Sequence, residues 1–155
     1  MTQHEPATET RAEAAEFASD DDGPLVGIVM GSESDRPKME KACAELEERG
    51  ISFEFQVMSA HRSPDLVATY AKEARERGLR VIIAGAGLSA ALPGVVAAHT
   101  DLPVIGVPLA ASTGVANGLD ALLSVAQMPP GVPVACVGVD NARNAAVLAA
   151  RILGA

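Results

Sequence analysis

Short apolar runs with almost no polar interruption recur along this chain, separated by segments of helical pattern, and that alternation restricts the fold more than any other feature. Residues 25–30, 81–83, 104–107 and 132–139 are such runs. A strand with one wet face alternates apolar and polar positions, whereas an unbroken apolar run reads as a strand covered on both faces, as in a parallel sheet. Residues 51–57 add a fifth strand, with Ile51, Phe53, Phe55 and Val57 at alternate positions.

The intervening segments carry helix signals. Asp35 can cap a helix with Pro37 in its first turn, and Met39, Ala42, Cys43 and Leu46 fall at the i, i+3, i+4, i+7 spacing of one buried face before Gly50 stops it. Ser63 caps a second helix with Pro64 at its first position, Leu66, Val67, Tyr70, Ala71 and Ala74 on its inner face and Gly78 at its end. Further helices are predicted over 89–98, 118–126 and 141–153. Five βα units joined by right-handed crossovers give a three-layer α/β/α sandwich around a doubly wound parallel sheet, of flavodoxin-like strand order.

Composition sets the scale. A chain of 155 residues that is 48% hydrophobic but only 3% aromatic fits one domain, over residues 25–155, with a core of Ala, Val, Ile and Leu. Residues 1–24 read as a disordered acidic tail, because they lack the large apolar residues needed to fold alone. Residues 1–22 hold seven acids against the single base Arg11, so most of the net charge of −8 lies there.

An acidic chain without clustered Lys and Arg is a poor match for nucleic-acid phosphates. No apolar run approaches the ~20 residues that span a bilayer. The first residues lack the basic start and apolar core of a secretory signal, which makes a cytoplasmic location the expectation. Cys43 and Cys136 both fall within apolar pattern and read as small buried hydrophobes. Neither belongs to a CxxC or Cys/His cluster, so no metal is expected. His4 lies in the tail, and His99 follows a helix end whose dipole suits a cationic ring.

Chemistry-bearing residues gather where the first three strands end. After the first comes Gly31-Ser32-Glu33-Ser34-Asp35, where hydroxyls and helix-start N–H groups can receive a phosphate; the same residues also read as a plain capped turn. After the second comes Ser59-Ala60-His61-Arg62-Ser63-Pro64-Asp65. It sets an imidazole, the side chain whose ordinary titration lies nearest neutral pH, beside a guanidinium suited to phosphate. After the third, Gly85-Ala86-Gly87-Leu88-Ser89 lets backbone approach a flat ligand. It does not complete a GxGxxG dinucleotide pattern, because residue 90 is alanine.

Together with Gln127-Met128-Pro129, these blocks resemble, in order and spacing over residues 25–155, the class I N5-carboxyaminoimidazole ribonucleotide mutases of purine biosynthesis. The resemblance implies a flavodoxin-like subunit of a homo-octamer, with no metal or organic cofactor, acting on a small-molecule ribonucleotide. The substrate's carboxylate moves from the exocyclic nitrogen to carbon 4 of the imidazole. By position, His61 matches the acid/base residue. Arg62 and Ser59 would grip the 5′-phosphate, Asp35 would accept from the ribose hydroxyls, and Ser32 would contribute at the first helix start. Backbone around Gly85, Ala86, Gly87 and Leu88 would enclose the imidazole and the migrating carboxylate.

The chain departs from the family in places. Bacterial members commonly read Gly-Gly-Ala-Ala-His-Leu-Pro-Gly after the third strand, where this chain has Gly87-Leu88-Ser89-Ala90-Ala91-Leu92-Pro93-Gly94, so Ala91 replaces a second histidine. Residues 106–127 also differ from the bacterial pattern, and the chain ends soon after its last predicted helix. A related form that carboxylates the uncarboxylated ribonucleotide directly typically carries lysine where this chain has Arg62, which favours the mutase. A non-catalytic nucleotide-phosphate sensor on the same fold is the remaining alternative.

Overall fold

The structure, a computed structural model, describes residues 23–155. The expectations for the tail, including His4, concern residues outside that range up to residue 22. Ser52 Oγ donates to the Gly23 carbonyl at 2.9 Å, anchoring the chain just ahead of the first strand.

Five strands form one parallel sheet: β1 (Val26–Met30), β2 (Phe53–Val57), β3 (Val81–Gly87), β4 (Val104–Leu109) and β5 (Ala135–Cys136). Their spatial order, β2-β1-β3-β4-β5, is the flavodoxin-like order expected from the sequence. The helices are α1 (Arg36–Glu48), α2 (Pro64–Glu73), α3 (Leu92–Ala98), α4 (Leu119–Ala126) and α5 (Ala142–Leu153).

The pleat sends alternate residues to opposite faces and thereby builds two cores. Val26, Ile28 and Met30 of β1 join Val81 and Ile83 of β3 under α1 and α5. On the other face Val29 joins Ile82, Ala84 and Ala86 beneath residues of α2, α3 and α4. The apolar stripe read in α1, Met39, Ala42, Cys43 and Leu46, is buried, as are Val67, Tyr70, Ala71 and Ala74 on the α2 side. With Ala142, Ala145, Ala146, Ala149 and Ala150 on its buried face, α5 lies close over the sheet without large side chains.

The differences from the expected elements have local causes. Only Ala135 and Cys136 of the apolar run 132–139 pair with β4, opposite Ile105 and Gly106. Pro133 has no N–H to give a ladder, and β5 is an edge, so the run is only partly covered and Cys136 is half-buried rather than core. α3 starts at Leu92 instead of 89, because Leu88 takes φ +57 and the Ala90 N–H turns back to the Leu88 carbonyl at 2.9 Å. Neither Asp35 nor Ser63 makes a side-chain cap bond. A 3-10 turn over Glu33–Asp35, capped by Ser32, feeds directly into α1 and replaces the Asp35 cap.

Candidate functional site

In a doubly wound sheet the loops at the carboxyl ends diverge where strand order reverses, here between β1 and β3, and leave a crevice. At that place the structure has a cavity of about 750 Å³. Residues from the loops after β1, β2, β3 and β4 line it.

The loop after β1 is fixed from below by the Gly31 N–H, which donates to the Gly85 carbonyl at 3.1 Å. Ser32 Oγ accepts from the Ser34 N–H at 3.3 Å and lies 2.9 Å from Ser34 Oγ. Both serines and Asp35 line the cavity. Asp35 is partly buried, and that burial raises its carboxyl above the usual aspartate value. A backbone hydrogen bond involving Ser32 and the nearby Lys38 charge act against the rise, while Asp140 adds to it.

The loop after β2 folds over its own serine. Ser59 Oγ accepts from the Arg62 N–H at 3.2 Å and the Ser59 carbonyl from the Ser63 N–H at 2.9 Å, so residues 59–63 close a tight turn. That turn carries His61 and Arg62 at its tip, exposed and lining the cavity. Pro64 then starts α2.

From the end of β3 and the loop that follows come Ala86, Gly87 and Leu88. A Cβ on Gly87 would stand 3.0 Å from the Leu109 carbonyl oxygen, which explains the bare backbone there. Leu88 bears a full side chain in the left-handed region, a conformation costing about 1–3 kcal/mol that surrounding structure must enforce. Gly85 does not line the cavity: it is a buried sheet residue paired with Met30, and it acts behind the wall by holding Gly31.

The cavity thus brings together Ser32, Asp35, Ser59, His61, Arg62, Ala86, Gly87 and Leu88, and leaves out Gly85. Ala91, at the position of the missing second histidine, also lies in the wall. His99 does not: it closes α3, with Nδ1 2.9 Å from the Val95 carbonyl.

Sequence reasoning missed the fourth wall, Ala110, Ala111, Ser112 and Thr113, together with Lys38. In the strand order 2-1-3-4-5, β4 neighbours β3, so its loop had to reach the same crevice; the small-residue composition of that loop carries no motif. Lys38 was findable as the residue one turn beyond Asp35 on the same helix face. Among the described residues no group of three or more His, Cys, Asp or Glu is placed to hold a metal ion, and no helix is long and apolar enough to cross a membrane.

A family profile described as AIR carboxylase matches residues 25–155. The N5-carboxyaminoimidazole ribonucleotide mutase of Pyrococcus horikoshii is 59% identical over 131 residues, covering 84% of this chain and 73% of that protein. The phosphoribosylaminoimidazole carboxylase of Schizosaccharomyces pombe is 56% identical over 132 residues, covering 85% of this chain but 24% of that longer protein. Among solved structures, Treponema denticola PurE superposes with a TM-score of 0.72 at 37% identity, covering 84% of this chain and 80% of that one.

Proposed function

We infer, since this chain belongs to the AIR carboxylase family, that it catalyses the mutase reaction: the carboxylate of N5-carboxyaminoimidazole ribonucleotide moves to carbon 4 of the imidazole, within purine biosynthesis. The observation that carries the reading is the meeting of His61, Arg62 and Asp35, from two different loops, in one cavity at the strand reversal.

The chemistry balances without an outside reagent. The bond from N5 to the carboxyl carbon breaks, its electron pair stays on nitrogen, and nitrogen takes up a proton. The released carbon dioxide is attacked by carbon 4, and the proton displaced from carbon 4 leaves. One group that first donates and then accepts a proton can serve both steps, and His61 at the cavity's edge is assigned that role. With Ala91 in place of a second imidazole, no other histidine among the described residues lines the cavity.

Arg62 and Ser59 take the 5′-phosphate, a charge-assisted contact worth about 1.5–3 kcal/mol. The Ser59 turn supports this, because the bond from the Arg62 N–H to Ser59 Oγ holds the two residues side by side at the cavity. Asp35 accepts from the ribose hydroxyls and Ser32 contributes beside it. Ala86, Gly87 and Leu88 supply a wall of backbone and apolar groups suited to holding carbon dioxide away from water.

The enzyme works in the cytoplasm as a homo-octamer, without a cofactor. Assembly is supported by Val115, Leu119 and Leu123, which are 67%, 45% and 51% exposed and give α4 and the turn before it an apolar outer face. Deletion of residues 1–22 is expected to leave turnover unchanged, and a large loss on truncation would overturn that expectation.

Direct carboxylation is the second reading, favoured by the name of the Schizosaccharomyces pombe relative. Conversion of the N-carboxylated and the uncarboxylated ribonucleotides, each with and without bicarbonate, separates the two. A mutase converts the N-carboxylated substrate without bicarbonate. Turnover of only the uncarboxylated ribonucleotide, dependent on bicarbonate, would establish the carboxylase. Binding with no turnover of either would leave a sensor.

A further inference from the structure

Ala110, the first residue beyond β4, has both halves of its backbone held by one pair of side chains. Its carbonyl accepts from Lys38 Nζ at 2.6 Å, and its N–H donates to Asp140 Oδ1 at 2.9 Å. Lys38 Nζ also donates to that same Asp140 oxygen at 3.0 Å. The three residues come from the first turn of α1, the end of β4 and the segment entering α5.

Both side chains break a local preference in order to meet there. Lys38 is the third residue of α1, where the unpaired N–H groups of a helix start oppose a positive charge. Asp140 adopts φ +59, a left-handed conformation that few residues with a side chain adopt, and its own N–H donates to the Pro108 carbonyl at 2.8 Å. Local rules broken together at one contact mark a place where something besides local stability is served.

The clamped peptide begins the fourth cavity wall. The ladder between β3 and β4 ends at Gly87 and Leu109, one residue before the clamp. From Ala110 the chain runs along the cavity through Ser112 and Thr113, and the Gly114 N–H closes its turn on the Ala111 carbonyl at 2.9 Å. Lys38 itself faces the cavity. An ammonium has three donors, and Ala110 and Asp140 take two, which leaves one for a hydroxyl of a bound nucleotide.

We infer that Lys38 and Asp140 are positioning residues for nucleotide binding, their clamp on the Ala110 peptide holding residues 110–113 as a fixed wall against the ribonucleotide. The inference rests on the mutase reading for the identity of that ribonucleotide. It extends the set of residues serving the site to two that make no part of the proton transfer or the phosphate grip.

The test compares the intact wild-type chain with Lys38→Met, Asp140→Gly, the double variant and Lys38→Arg; glycine removes the shared acceptor and accommodates the left-handed backbone at residue 140. Each is studied by steady-state kinetics on the N-carboxylated ribonucleotide, calorimetric titration with the 4-carboxylated product, and thermal melting. For Lys38→Met, KM and the product Kd are expected to rise about 10-fold or more while kcat stays within about threefold, the signature of lost binding rather than lost chemistry. The double variant should be no weaker than the worse single one, because both break one clamp. Lys38→Arg, which keeps the charge, should fall between Lys38→Met and wild type, and melting points should stay within about 4 °C of one another.

Unchanged KM and Kd in Lys38→Met would overturn the inference. So would additive losses in the double variant, or a fall in melting point with KM unmoved. If the wild-type chain binds the product but turns nothing over, the mutase reading fails while the clamp is still read from the Kd values. A wild type that binds no ribonucleotide sinks both.

Discussion

Arg143, in the first turn of α5, donates through Nε to Oε2 of Glu45 on α1 at 2.8 Å, joining the two helices that cover one face of the sheet. Arg49 donates through Nε to the other oxygen, Oε1, at 2.9 Å. A carboxylate only 7% exposed thus has a cation on each oxygen, which is the condition for burying it at all.

That arrangement makes the helix junction sensitive to acid. Hydrogen bonds from Arg143 and then Arg49 hold the Glu45 carboxyl below the usual glutamate value. The unfolded chain therefore binds the proton at higher pH than the folded one. The contribution is present above the ordinary value of 4.5 and is lost as pH falls through the lowered folded value. Glu45→Gln should melt earlier than wild type at neutral pH, and the gap should close as the buffer is taken below that ordinary value. A gap of equal size at every pH would assign the effect to shape instead of charge.

Gly27 of β1 is kept bare by the ring packed over it. A Cβ there would stand 2.2 Å from the Tyr70 hydroxyl oxygen and 3.0 Å from Leu79 Cδ1. The ring has little room to retreat. The Arg77 guanidinium lies 4.7 Å from its centroid and is itself held by two hydrogen bonds to Glu54, of 2.8 and 2.7 Å. Gly27→Ala should destabilise by about 1–3 kcal/mol, seen as a lower urea midpoint at unchanged m-value. An unshifted midpoint would show that the Tyr70, Arg77 and Glu54 cluster yields easily.

The layers and strand order were legible because burial on two faces leaves a one-dimensional trace: unbroken apolar runs, helical stripes such as Met39 to Leu46, and Gly or Pro at the joints. The trace misled at residues 132–139, where apolar composition was right but Pro133 and the edge position left only two residues paired. Three loops of the cavity were legible because they carry polar side chains directly after strands. The fourth, at Ala110, was not, since it presents backbone and small side chains. Its ties to Lys38 and Asp140 span 72 and 30 positions, with Lys38 and Asp140 themselves 102 apart, which no local pattern encodes.

His61 carries the sharpest kinetic expectation. It stands at the tip of the turn that Ser59 closes, apart from the Asp35 and Ser32 loop that would hold the ribose. Removing its proton-transfer capacity while keeping a neutral polar group, as in His61→Asn, should lower kcat by about 10²–10⁴-fold. The product Kd should move only a few-fold, measured by calorimetry. A variant with wild-type turnover would remove His61 from the acid/base role, and one that neither binds nor turns over would make it a binding residue.

Asp35 should show the opposed demands of folding and binding. Burial raises its carboxyl above the usual aspartate value, so the folded state disfavours the charged form that ribose hydroxyls would need as acceptor. For a raised carboxyl, full stability is present below the unfolded pKa and is lost as pH rises through the folded one. Near neutrality the ionised Asp35 is therefore a cost that the fold carries. It makes no side-chain capping bond, and an amide oxygen can keep the hydrogen bond with the Ser32 backbone, so neither offsets the relief. Asp35→Asn should melt higher than wild type at neutral pH, with the difference vanishing in acid below the usual aspartate range, and should bind the ribonucleotide at least about 10-fold more weakly, since an amide oxygen is the poorer acceptor. Melting curves at several pH values and a calorimetric titration check the two halves separately. A variant that is both less stable and fully able to bind would show that the carboxylate serves α1 and not the nucleotide.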